Sequence, residues 1–243
     1  MSTYFVTGAT GSTGRRLVAE LLRRPACEWV FALLRPQSAD EPDRHAEPAP
    51  VPGDLTSPVD ADRVDHVLRL AAGYDSTTHR AGNVGGTRRV VEHTGRTGCG
   101  VLRHVSSNAV AGEYRGTVTE DDFDVGRHLP SPHATEKIVR EPGSPRRVHR
   151  PGAAVGDSRA GEVGRRHFFS FAVAAPARLP RRLPLVAPHF GPTNPVPVDH
   201  VVRAPDAFSR VAAGGTEADG VTFTSVRMPM VRTPKTVVLR VTR

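Results

Sequence analysis

Short apolar runs alternate along the chain with stretches whose apolar residues recur at helical spacing. This is the pattern of repeated strand–helix units feeding a parallel sheet. The runs predict strands at Tyr4 to Thr7, Trp29 to Leu34, His66 to Ala71, Val101 to Val105 and Arg147 to His149. Gly14 to Arg24 carries Leu17, Val18, Leu21 and Leu22 on one helical face, and a second helix is expected from about Asn83 to His93, with Val84, Val90 and Val91 as its apolar side. Pro36 to Pro52, rich in Pro, Asp, Glu and Ala, reads as a loop where a helix would ordinarily cross back. Past Pro151 the periodicity weakens and prolines recur at 176, 180, 184, 188, 192, 195 and 197, and Thr222 to Arg243 holds β-branched residues suited to a strand. The pattern predicts an α/β chain with residues 1–155 forming a doubly wound parallel sheet. Residues 156–243 would be a small, irregular, partly truncated region of the same unit, facing a substrate.

Composition narrows the classes. With 243 residues and 38% hydrophobic content the chain can bury one sizeable core. Cys27 and Cys99 form neither a disulfide framework nor a metal-ligand pair, so no metal site is expected. No basic leader precedes Tyr4 and no long apolar run occurs, which leads us to expect a cytoplasmic protein without a membrane span. The net charge of +8 would suit nucleic acid, but the arginine doublets are scattered from 15–16 to 181–182, with few aromatic residues between them. That distribution describes solvated charge rather than a nucleic-acid footprint.

The first strand runs into Thr7-Gly8-Ala9-Thr10-Gly11-Ser12-Thr13-Gly14, which opens the first helix. Glycines at this junction permit a tight turn and let backbone N–H groups approach a pyrophosphate at the positive end of the helix. In that strand–loop–helix context Gly8, Thr10, Gly11, Ser12, Thr13 and Gly14 form the cradle of a Rossmann-type dinucleotide site. Arg35 stands 21 residues after Gly14, at the end of the second strand, with no carboxylate beside it. An arginine there accommodates a 2′-phosphate, favouring NADP(H). If Arg35 is only a solvated loop charge, NAD is the alternative.

Beyond the glycine loop the chain resembles the extended short-chain dehydrogenase/reductase family, the NAD(P)-dependent epimerases, dehydratases and acyl-thioester reductases. The resemblance rests on TGATGSTG at 7–14, GDLT at 53–56, LAA at 70–72, NVGGT at 83–87, HVSSNAVAG at 104–112, RPGAAVGDS at 150–158 and NPVPVDHV at 194–201, in the family's order. It implies that Asp54 and Leu55 lie against the adenine, that Ala71, Ala72 and Asn83 line the cofactor channel, and that Pro151 and Gly152 sit by the nicotinamide. It further implies that Ser107 hydrogen-bonds a substrate carbonyl, while Ser106 is structural. The stretches around NAVAGEYRGTVTEDDFDVG and ARLPRRLPLVAPHFG look most like the fatty acyl and thioester reductases of that family.

The family's catalytic tyrosine and its lysine four residues on are missing from the segment where they belong, Ser131 to Arg140, which reads as though residues had been deleted. His133 and Lys137 stand there at the same spacing, so both can share one helical face. Tyr4, Tyr74 and Tyr114 all lack the partner lysine. Two readings stay open: His133 acts as the proton donor, imidazole being a common acid or base, or the catalytic site is broken. The resemblance therefore implies an NADP(H)-dependent oxidoreductase acting on a small-molecule carbonyl or acyl thioester. A non-catalytic NAD(P)-binding or redox-sensing module is one alternative and an NAD-dependent sugar-nucleotide epimerase or dehydratase another. Neither the substrate nor the oligomeric state is written in the pattern.

Overall fold

The computed structural model describes residues 1–34, 49–52, 64–71, 79–111, 118–119, 121–123, 130–141, 146–160, 195–203 and 220–224. In chain order these form β1 (Ser2–Thr7), α1 (Ser12–Leu22), β2 (Cys27–Leu34), β3 (Ala49–Pro52), β4 (His66–Arg69), a π-helical turn (His79–Gly85), α2 (Gly86–Thr97) and β5 (Val101–Val105). A 3₁₀ turn (Asn108–Ala111), α3 (Pro130–Val139), β6 (Arg146–Pro151), β7 (Ala153–Val155), β8 (Pro195–Pro197) and β9 (Gly220–Thr224) follow. A short helix at 198–203 continues from β8.

Seven strands pair in the order β3-β2-β1-β4-β5-β6-β9, all parallel, and β7 pairs with β8 in a separate two-stranded ribbon. Chain order reverses between β1 and β4, so a crevice opens there beyond the carboxyl ends of the strands. Alternate strand residues feed two apolar layers. Tyr4, Val6, Val30, Ala32 and Leu68 pack on Leu17, Val18 and Leu21 of α1 and on Val202 of the short helix. Phe5, Leu33, Val67, Leu102 and Val148 pack with Val90 of α2 and Val139 of α3 on the other face. Helices on both faces make the sheet doubly wound, as the Rossmann-type expectation requires.

Several elements differ from the sequence pattern, among them β7, β8 and the short helix after β8, which the pattern does not predict. β3 lies inside the stretch read as loop because its two prolines signal a break. An edge strand bonded only to β2 tolerates residues that lack an N–H, and Ala49–Pro52 is such an edge. The second helix begins at Gly86 rather than near Asn83. The Asn83 carbonyl there accepts from the Thr87 hydroxyl at 2.5 Å and from Arg69 Nη2 at 3.1 Å, with the wider π turn just before it. Gly98 ends α2 in the left-handed region, φ 64°, where a Cβ is costly. β9, Gly220–Thr224, lies at the sheet edge beside β6 and takes in only the first three residues of the stretch from Thr222 to Arg243 that suited a strand; 225–243 lie outside the described residues. Among the described residues no helix is long and apolar enough to cross a membrane.

The sheet interior also carries imidazoles among guanidinium groups. Arg103 Nη1 lies 3.1 Å from His66 Nδ1, and since arginine can only donate, that nitrogen carries no proton. Burial, then Arg103, lowers His66 to about 4 despite Asp65; burial, then Arg103 and Arg147, lowers His149 to about 4. Burial, then Arg69 and His149, holds His104 well below the usual imidazole range. These histidines bind fewer protons folded than unfolded, so the unfolded chain gains as pH drops below 6.5, and stability falls progressively toward pH 4. For His149 alone the loss from pH 7 to pH 5 is about 2 kcal/mol. The urea midpoint should drop over that interval, in which few carboxylates titrate; an unchanged midpoint contradicts the buried neutral imidazoles.

Candidate functional site

The carboxyl end of β1 is built to bring two backbones together. Thr7 accepts from the Leu70 N–H through its carbonyl at 3.2 Å and from the Ala71 N–H through Oγ1 at 3.4 Å, which pins the end of β4 against the glycine loop. Gly8 then turns with φ +78°, and a Cβ there would stand 2.7 Å from the Ala71 nitrogen. A Cβ on Gly14 would collide with the Gly8 carbonyl oxygen, so the first turn of α1 rests directly on the loop. The Gly11 N–H closes the turn onto Gly8 O at 3.1 Å. Gly11 is also the N-cap of α1, supplying no side-chain acceptor, and no acidic residue stands in the first turn. The amides of Ser12, Thr13 and Gly14 thus start the helix with neither a capping side chain nor a carboxylate, leaving its positive end open to an anion. The tight glycine turn and the uncapped helix start together fit a dinucleotide pyrophosphate.

The other strands deliver their residues to the same edge of the sheet. Ala71 follows β4, Ser106 and Ser107 follow β5, and Pro151 ends β6 with Gly152 after it, both buried. Asn83 is buried in the π turn before α2. Ser107 Oγ accepts from the Ala109 N–H at 3.2 Å and its carbonyl from the Val110 N–H at 3.1 Å, so this serine begins the 3₁₀ turn. α3 packs against that turn, bringing the element that carries His133 and Lys137 beside the one that carries Ser107. The imidazole of His133 lies flat on Phe123, ring centroids 4.5 Å apart and planes 5° from parallel, while Lys137 faces solvent. Arg35, Asp54, Leu55 and Ala72 lie outside the described residues.

One buried cluster was not anticipated. Glu136 on α3 and Arg150 on β6 are both fully buried and joined at 2.5 Å. Arg140 Nε donates to the same Glu136 oxygen at 3.0 Å, and the Ser106 hydroxyl donates to the other at 2.9 Å. Arg150 Nη1 donates to the carbonyls of Asp122 at 2.8 Å and Thr119 at 3.4 Å. Only two sequence signals were available: the i,i+4 pair Glu136–Arg140 and an arginine near the end of the Arg- and His-rich strand β6. Both otherwise read as solvated charge.

Comparisons with known proteins agree with this architecture. The family model described as the NAD dependent epimerase/dehydratase family matches residues 4–141. Among solved structures, the terminal R domain of the myxalamid PKS-NRPS pathway has a TM-score of 0.78 at 23% identity, over 96% of this chain and 68% of that one. The reductase (R) domain of a nonribosomal peptide synthetase from Mycobacterium tuberculosis has a TM-score of 0.70 at 21% identity, over 94% and 68%. A UDP-galactose 4-epimerase has a TM-score of 0.68 at 20% identity, over 92% and 77%. At these identities the likeness is one of fold. None of the curated proteins matches the sequence.

Proposed function

This chain belongs to the NAD-dependent epimerase/dehydratase family, and from that premise we propose that it is an NADP(H)-linked oxidoreductase acting on a carbonyl or acyl-thioester substrate. The observation that carries the reading is the glycine turn at the end of β1, where a Cβ on Gly8 or Gly14 would strike the protein's own backbone, so that strand, loop and helix start pack directly on one another, and where the α1 N-terminus carries no capping side chain. Gly8 to Gly14, with Thr10, Ser12 and Thr13, hold the pyrophosphate. Arg35 pairs with the 2′-phosphate, Asp54 and Leu55 flank the adenine, and Ala71, Ala72 and Asn83 line the channel. Pro151 and Gly152 bound the nicotinamide end. When bound, the cofactor supplies the hydride. Ser107 donates a hydrogen bond to the substrate carbonyl oxygen and fixes its orientation, and His133 delivers the proton to that oxygen, with Lys137 on the same helix. Arg35 and the reductase-like stretches of sequence favour this reading over a sugar-nucleotide epimerase.

A second reading has its own support. With His133 laid against Phe123 and Lys137 in solvent, the chain is a nucleotide-binding or redox-sensing module that performs no hydride transfer.

Titration with NADPH and NADH tests the cofactor assignment. NADPH should bind at least about tenfold more tightly, or about 1.4 kcal/mol, and Arg35→Asp should reverse the order. Equal affinities in the unmodified protein would sink the role of Arg35.

A further inference from the structure

We propose that Ser106, Glu136 and Arg150 form a positioning network that fixes the parts of the reaction site relative to one another, an inference that rests on the oxidoreductase reading above. Each member is the chain neighbour of a residue assigned there: Ser106 precedes Ser107, Glu136 precedes Lys137, and Arg150 precedes Pro151. The network therefore joins three separate elements immediately beside the groups that must meet. Glu136 Oε2 accepts from the Ser106 hydroxyl at 2.9 Å and from Arg150 Nε at 3.2 Å, and Oε1 accepts from Arg150 Nη2 at 2.5 Å, from Arg150 Nε at 3.1 Å and from Arg140 Nε at 3.0 Å. A fourth segment is drawn in through Arg150 Nη1, which holds the carbonyls of Thr119 and Asp122 just before Phe123, the ring on which His133 lies. Ser106 is tied a second time by its N–H to the His149 carbonyl at 2.8 Å.

Stability alone does not call for this arrangement. An apolar pair of the same volume avoids the desolvation of two fully buried ions and often stabilises as much or more. What the ions add is direction: a carboxylate bonded at once by Arg150 on β6, Arg140 on its own helix and the Ser106 hydroxyl after β5 sets angles as well as distances. The Ser106 hydroxyl is the branch that reaches the Ser107 turn, and it can be removed without disturbing the Glu136–Arg150 pair.

The test uses the full chain with Ser106→Ala and Ser106→Thr, read in two ways. Amide hydrogen exchange at Ala109 and Val110, whose N–H groups bond to Ser107, should speed up about tenfold in Ser106→Ala. Turnover of NADPH with a carbonyl substrate should show kcat lowered roughly ten- to hundredfold, with KM and NADPH affinity unchanged. Ser106→Thr, which keeps the hydroxyl, should restore both readouts. Unchanged exchange in Ser106→Ala overturns the tether, and faster exchange with unchanged kcat overturns its role in positioning. If the unmodified protein oxidises no NADPH, the oxidoreductase reading fails and takes the positioning role with it, while the exchange measurement still decides whether the tether exists.

Discussion

Arg150→Ala should cost the fold about 3–5 kcal/mol, because it leaves the Glu136 carboxylate buried without its principal counter-ion. Domains of this kind retain only about 5–15 kcal/mol of net stability, so the variant should be largely unfolded under conditions the unmodified chain tolerates easily. The carbonyls of Thr119 and Asp122 lose a donor in the same step. Urea denaturation followed by circular dichroism measures the effect. The double variant Glu136→Gln, Arg150→Met should recover part of the loss, since no unpaired charge remains in the core. A single-variant loss below about 1 kcal/mol contradicts the buried ion pair.

The second large effect concerns binding rather than folding. Gly8→Val places a branched side chain at φ +78°, a region L residues rarely adopt, with its Cβ 2.7 Å from the Ala71 nitrogen. The loop must move off the end of β4, which misplaces the α1 amides that would meet the pyrophosphate. NADPH affinity should fall by about a hundredfold or more, equivalent to about 2.7 kcal/mol. The sheet, held by strand pairing on both sides of β1, should survive better than binding does. A native circular dichroism spectrum together with unchanged NADPH affinity would remove the glycine loop from the cofactor site.

The parts of the fold that were legible in the sequence are those where one physical rule acts alone. Strands buried on both faces read as apolar runs, and Val101–Val105 emerged with the expected bounds from Val101, Leu102 and Val105, although the buried Arg103 and His104 interrupt the run. The stripe of Leu17, Val18 and Leu21 identified α1, and the glycine triplet identified the turn before it. β3 was hidden because its prolines oppose a strand everywhere except at an edge, and edge position is a property of the finished sheet. The Glu136–Arg150 network was hidden for a related reason. In Thr135-Glu136-Lys137-Ile138-Val139-Arg140 the charges at 136, 137 and 140 look alike on a helical wheel. Only the packing of α3 against β6 and the β5 turn separates the fully buried Glu136 from the exposed Lys137. Of the residues that the ordered motifs named, Ala71, Ser107, Pro151 and Gly152 lie at the carboxyl ends of β4, β5 and β6. The orientation of His133 against Phe123 depends on a turn fixed by Arg150, which no spacing rule reaches.

Hydride transfer at this site is tested by single-turnover oxidation of NADPH by the purified chain. The substrates should be a panel of aldehydes, ketones and acyl thioesters, with His133→Ala and His133→Tyr measured alongside. Measurable oxidation is expected with at least one substrate, with a fall of about 10²–10⁴ in His133→Ala and restored or increased activity in His133→Tyr. NADPH that binds but is oxidised with no substrate in any of the three proteins would contradict the oxidoreductase reading and leave the nucleotide-binding module; oxidation that persists undiminished in His133→Ala would contradict His133 as the proton donor.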